Sequence, residues 1–382
     1  MSVDVAPGVL SWARERAGVD LAALEAKFPA LPEWERGTAA PTFSQLQQFA
    51  KATHAPIGYL LLPEPPIEPL PIPDFRTFRD AAVHRPSVDL LDQIYLVEQR
   101  QEWYREHQRA VGSAPLDFVG SVSTRDNPIT VADQIANRVR FTVEDRARYR
   151  SWSEALRDLI DLIEDIGVLV MISGVVGANT RRALDPREFR GFALADPLAP
   201  VIFVNGKDSK AAQIFTLLHE VVHVWVGESA LSDASLAAGS GNDDERFCNA
   251  IAAEILVPLN SLRREWDPNA DRRQELDRMA AKFRVSTLVV LSRVFDLGGL
   301  PWDEYQDWYG AEAAYVLKKI GVNTSDGGNY YNSAPFQMSR RFARAVIADT
   351  LEGRTLHRDA FQMLGFRKAA TFNELGRRLG VA

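Results

Sequence analysis

Hydrophobic and polar positions follow two periods along this chain, and the changes of period divide it. Through the first 62 residues apolar side chains recur every three to four positions, with helix signals over Pro7–Ala17, Asp20–Phe28, Leu31–Arg36 and Thr42–His54. Between Leu62 and Phe75 the prolines at 63, 65, 66, 69, 71 and 73 break every period and predict a stiff, extended connector. A long helical pattern follows over Pro86–Val111, with shorter ones near Thr130–Val139 and Ser153–Asp165. The run Val168–Ile172 is apolar without interruption and reads as a strand. Phe189–Phe192 and Val201–Asn205 read the same way, from β-branched and aromatic content bounded by turn residues.

The next helical run, Lys210–Val226, carries no Pro or Gly, has Asp208 and Ser209 as candidate N-caps, and stops at Gly227. Inside it stand His219-Glu220-Val221-Val222-His223, flanked by Leu217, Leu218, Val224 and Trp225. Histidines four apart project from one helix face, so both reach a single tetrahedral Zn²⁺; the glutamate beside the first can act as general base on a metal-bound water. Such a site needs a third protein ligand. The metzincin extension requires Gly at 226 and His at 229, where this chain has Val226 and Ser229. After a loop rich in Ser, Gly and Asp (Ser229–Asp244), the helical run Glu245–Val257 ends at Pro258 and offers Glu245 and Glu254. They lie nine residues apart, about 180° around a helix, so only one faces the metal. The face of Glu245 continues through Asn249 to the small Ala252 and Ala253, which allow close helix approach; this selects Glu245 as ligand, with Asn249 placed to orient one and Glu254 turned away into a salt bridge. Asp243, Asp244 and Glu228 are further acidic candidates.

The stretch Phe215–His223, taken with Glu245-Arg246-Phe247-Cys248-Asn249-Ala250-Ile251-Ala252-Ala253-Glu254-Ile255-Leu256-Val257-Pro258, resembles the paired signature of the ImmA/IrrE-type zinc metallopeptidases. Carried over by position, the resemblance implies zinc held by His219, His223 and Glu245, with Glu220 as the base. It also implies a protein substrate, a specific DNA-binding repressor or antitoxin. In zincin folds of this kind the sheet edge above the metal helix pairs with an extended substrate, and Arg190–Ala195 or Val201–Asn205 is the candidate edge. A reading from another class is a transcription regulator with a zinc-stabilised, non-catalytic core. Glu220 discriminates the two, because a structural zinc site has no use for it.

Composition frames these readings. A chain of 382 residues, 46% of them hydrophobic, can bury a substantial core and predicts two or three domains. It has no long apolar run for a membrane span and no signal-peptide pattern, so a cytoplasmic location is expected. The single cysteine, Cys248, excludes an intramolecular disulfide and suits a reducing compartment. The net charge of −7 does not suggest general nucleic-acid affinity.

Trp34-Glu35-Arg36-Gly37 and Pro41-Thr42, with Leu46, Phe49 and Ala50, resemble the end of an Xre/Cro-type helix-turn-helix domain. Only Pro29–Glu33 separates the second helix from Trp34, which is too short for a turn and a full recognition helix, and no residue there reads base edges. Five basic residues against six acidic ones leave this head at −1. It reads as a helix-turn-helix scaffold for protein docking or dimerisation as readily as for DNA.

The chain is thus expected to be α+β and mainly helical. A helix-turn-helix-like head (1–62) and a Pro-rich linker (63–75) precede a zincin-like core of small sheet plus HExxH helix (76–270). A helical hairpin (271–323) and a basic helical C-terminal region (324–382) complete it. From 328 onward that last region carries nine Lys or Arg against four Asp or Glu. Tyr330 or Tyr331 in it is a candidate for stabilising the oxyanion of peptide hydrolysis.

Overall fold

The computed structural model describes residues 2–74, 86–146, 148–232, 243–320 and 337–381. These form two compact units, Met1–Pro71 with Ala82–Tyr95, and Ile72–Ala81 with Leu96–Ala382. The first unit includes the helices α1 (Pro7–Arg16), α2 (Leu21–Glu25), α3 (Leu31–Glu35) and α4 (Phe43–Thr53). Thr42 starts α4 with a capping box: its side chain accepts from Gln45 N, and the Gln45 side chain accepts from the Thr42 backbone. Val9, Leu10, Leu31, Leu46 and Phe49 form a closed apolar centre. The Pro-rich stretch 63–73 is neither helix nor strand. Its Glu68 accepts from Arg16 Nη2 at 2.9 Å, so this part of the connector is tied back to the head.

Helix α5 (Val88–Ala110) belongs to both units. In the second unit α6 (Pro128–Val139), the short α7 (Val143–Arg146) and α8 (Trp152–Asp165) precede the strands. These are β1 (Leu169–Ser173), β2 (Val175–Val176), β3 (Asn179–Ala183), β4 (Gly191–Leu194), β5 (Val201–Asn205) and β6 (Ala230–Ser232). The main sheet has the order β1-β5-β4-β6, with β1 parallel to β5 and β4 antiparallel to both β5 and β6; β2 and β3 form a separate hairpin. Across this sheet runs α9 (Lys210–Val226), packed on β4 and β5 and flanked by α8 and by α10 (Asp243–Leu256).

Helix α9 begins where Ser209, rather than Asp208, accepts from Ala212 N, a cap worth about 1 kcal/mol. It ends at Gly227, whose φ of 85° and 2.8 Å clearance from Gly120 Cα leave no room for a side chain. Every residue from Gln213 to Trp225 is buried. Near the C-terminal end of α9, Phe118 stacks on Trp225 at 4.2 Å. Arg146 donates to the carbonyls of Ile255, Leu256 and Phe283. These close the C-terminal ends of α10 and of α12 (Arg272–Phe283), where a guanidinium meets unpaired carbonyls and the negative end of the helix dipole. A short α11 (Leu259–Glu265) precedes α12, and α13 (Thr287–Asp296) and α14 (Trp302–Ile320) follow.

Three more helices, α15 (Arg340–Leu351), α16 (His357–Leu364) and α17 (Ala369–Leu379), form the C-terminal part. Its arginines are mostly engaged: Arg340 with Asp161, Arg354 with Asp349, Arg358 with Asp359, and Arg377 and Arg378 with Glu374. That pairing removes much of the basic face that the sequence count suggests. The docking contact is Glu164, which accepts from Ser339 Oγ and from the backbone of Arg341. Ser339 holds φ at 67°, a strained value for a non-glycine residue, while its hydroxyl also caps α15.

Burial pushes the Glu164 carboxyl from 4.5 up to about 7, against the hydrogen bonds from Ser339, Val170 and Arg341. A folded value above the unfolded one means the folded protein binds that proton more tightly. The stability linked to it is complete below about pH 4.5 and is lost as pH rises to about 7, roughly 3 kcal/mol in all. Glu164→Gln cannot titrate, so its melting temperature should fall less than that of the wild type across this window. Parallel melting curves against pH would contradict the assignment.

Candidate metal centre

The two histidines of α9 stand one turn apart with their Nε2 atoms 3.1 Å from each other. Helix α10 crosses beside them and brings in Glu245, whose Oε2 lies 3.2 Å from His219 Nε2 and whose Oε1 lies 3.2 Å from His223 Nε2. Three donors in a triangle of about this size fit one small cation. Ligands about 2.0–2.1 Å from a tetrahedral zinc are separated by about 3.3–3.4 Å. Both Nε2 atoms and the Glu245 carboxylate converge on one point, and neutral imidazole nitrogens with lone pairs are ligands for such a cation. His219, His223 and Glu245 are the group of His, Cys, Asp and Glu side chains that could hold a metal among the described residues.

All of this chemistry is shielded. His219, Glu220 and His223 are 0% exposed and Glu245 is 3% exposed. Burial lowers the His223 pKa below its ordinary value, keeping the ring neutral and able to ligate. For Glu245 burial acts upward, but the two histidines outweigh it and hold the carboxyl down at about 2, ionised as a ligand must be. Glu220 is different: burial pushes it up to about 8. Its Oε1 accepts from Ser232 Oγ at 2.6 Å, and its Oε2 has no hydrogen-bond partner among the described residues.

Glu254, on the opposite side of α10, is bonded to Arg293, which also donates to the Val257 carbonyl. The nine-residue spacing therefore separates the two glutamates as helix geometry requires. Cys248 is buried, with Sγ 3.8 Å from His223 Nδ1, and burial pushes its thiol well up, so it is a packing group rather than a thiolate.

One expectation is overturned. Neither Gly191–Leu194 nor Val201–Asn205 is a sheet edge: β5 lies between β1 and β4, and β4 between β5 and β6. Their backbone groups are already paired, so neither can accept an added strand. The edge beside the metal helix is β6, inside the stretch Ser229–Asp244 that composition alone marks as loop. Its Leu231 N donates to Pro73 O at 2.9 Å, and Asp74 forms a parallel bridge with Leu231. Tyr330 and Tyr331 lie outside the described residues.

Two residues at the site escape sequence reasoning, Gly191 and Ser232, which face each other across β4 and β6. A Cβ on Gly191 would fall 2.7 Å from Thr216 Cγ2 and 2.9 Å from both Glu220 Oε1 and Phe203 O. A glycine inside a strand is a signal of such close approach, and it was available in Phe189-Arg190-Gly191-Phe192. Gly191→Ala should cost about 1–3 kcal/mol through this overpacking, read as a lower melting temperature. An unchanged melt would show that the contact yields freely.

Residues 163–295, which span the sheet, α9, α10 and the α12–α13 hairpin, match a family model described as the IrrE N-terminal-like domain. Residues 338–378, the C-terminal helices, match a domain of unknown function (DUF8813). No curated protein matches the chain. This partial match and the buried His-His-Glu cluster, which could take a divalent metal, are consistent with a metallopeptidase-like domain.

Proposed function

We propose that this chain is an intracellular zinc-dependent endopeptidase with a gluzincin-type ligand set, His219, His223 and Glu245, and that Glu220 is its general base. The observation that carries the proposal is the triangle of donors at 3.1–3.2 Å with a second carboxylate beside it that takes no part in the triangle. When bound, zinc supplies Lewis acidity, lowering the pKa of water toward ~7 and polarising a carbonyl. Glu220, raised by burial, would be favoured in its ionised form beside such a cation. Glu220 Oε2 then accepts a proton from the water that attacks the peptide carbonyl and delivers it to the departing amine.

The burial of the four side chains demands a substrate segment that fits a restricted site. That requirement suits a selective protease, and the proposed substrate is a DNA-binding repressor or antitoxin. The same burial is what favours the alternative, a regulator with a zinc-stabilised core. Against it stands Glu220, a buried carboxylate with a spare oxygen that a structural site would not need.

The head is proposed as a docking module rather than a DNA reader. Its helix α3 has five residues, and Arg14, Arg36 and Arg16 are paired with Glu35, Glu33 and Glu68. No helix among the described residues is long and apolar enough to cross a membrane. To test the proposal, the chain is co-expressed with candidate DNA-binding repressors. A shortened repressor that disappears on chelation and returns with zinc is the expected result, and an intact repressor under all conditions counts against it.

A further inference from the structure

Glu220 is anchored through one oxygen. The Ser232 hydroxyl, at the end of β6, reaches Oε1 at 2.6 Å, and both residues are 0% exposed. Opposite Ser232, the missing side chain of Gly191 leaves the space that Oε1 occupies. The other oxygen, Oε2, has no partner among the described residues. A carboxylate on a two-torsion stem can otherwise present either oxygen. A short hydrogen bond from a fixed strand removes that freedom.

We propose that Ser232 is a positioning residue for Glu220: it holds Oε1 so that Oε2 alone faces the proton to be transferred. This deepens the peptidase reading and rests on it. The bland alternative is that Glu220 satisfies a buried serine hydroxyl and nothing more; the two differ in what happens at Oε2 when the hydroxyl is removed.

The probe is acetohydroxamic acid, added to the full chain loaded with cobalt(II) and followed by visible absorbance. On binding as an anion the acid loses its O–H proton, and a new O–H bond forms at Glu220 Oε2. Glu220→Gln cannot take that proton. Ser232→Ala lets the carboxylate turn and should weaken binding about tenfold through lost orientation of Oε2, while cobalt content stays close to wild type. Ser232→Thr, which keeps the hydroxyl, should restore binding. If Ser232→Ala fails to fold, the isosteric pair Ser232→Thr and Ser232→Val makes the same comparison. Wild-type affinity in Ser232→Ala together with weak binding in Glu220→Gln overturns the positioning role and leaves the base intact. Wild-type affinity in Glu220→Gln overturns both.

Discussion

Glu245→Ala should empty the proposed metal site, and Glu254→Ala should not. The purified wild type should carry about one zinc per chain, since three protein ligands with an open fourth position are what a catalytic zinc site requires. Removing Glu245 deletes the carboxylate that reaches both rings and leaves a two-histidine site, so metal content should fall to a small fraction of one. His219→Ala should do the same. Glu254→Ala tests the other side of α10. It strands Arg293, which is 3% exposed and would keep only Asp296 and the Val257 carbonyl. Breaking a buried pair from one side costs about 3–5 kcal/mol, and the surviving partners place this case toward the lower end. The expected pattern is a melting temperature several degrees lower with zinc retained. Metal analysis beside thermal melts reads both effects, and zinc lost from Glu254→Ala but kept in Glu245→Ala would reverse the assignment.

How much of this was legible follows from the range over which each feature is encoded. Helix α9 announces itself because seventeen consecutive residues agree on one structure, with Ser209 before them and Gly227 after. The choice of Glu245 over Glu254 is also local: nine residues on one helix fix their angular separation without reference to the rest of the fold. Sheet order is not local. Strand β6 has three residues, too few to show an alternation, and only its pairing with β4 some forty positions earlier turns Ser232 toward Glu220. Arg146 illustrates the same limit. One of three arginines in a polar stretch, with Arg148 and Arg150, it reads as surface, yet it is 1% exposed because three helix-end carbonyls converge on it from α10 and α12. The basic count of the C-terminal region misleads for the related reason that composition cannot show pairing: Arg340 finds its carboxylate, Asp161, in another part of the chain.

Glu220→Gln should keep the fold and the metal while losing at least about a hundredfold in peptide-bond cleavage, the loss typical of removing a general base. The amide matches the carboxylate in size and can still accept from Ser232, so the β6 contact survives, but neither of its polar atoms can take up a proton and pass it on. The three donors of the metal site are untouched. The direct measurement is a blot of the repressor's length in cells expressing wild type or Glu220→Gln at matched levels, with zinc content measured on both proteins. The metallopeptidase account predicts a shortened repressor with wild type, a full-length one with Glu220→Gln, and equal zinc in the two; a repressor shortened equally by both would contradict it.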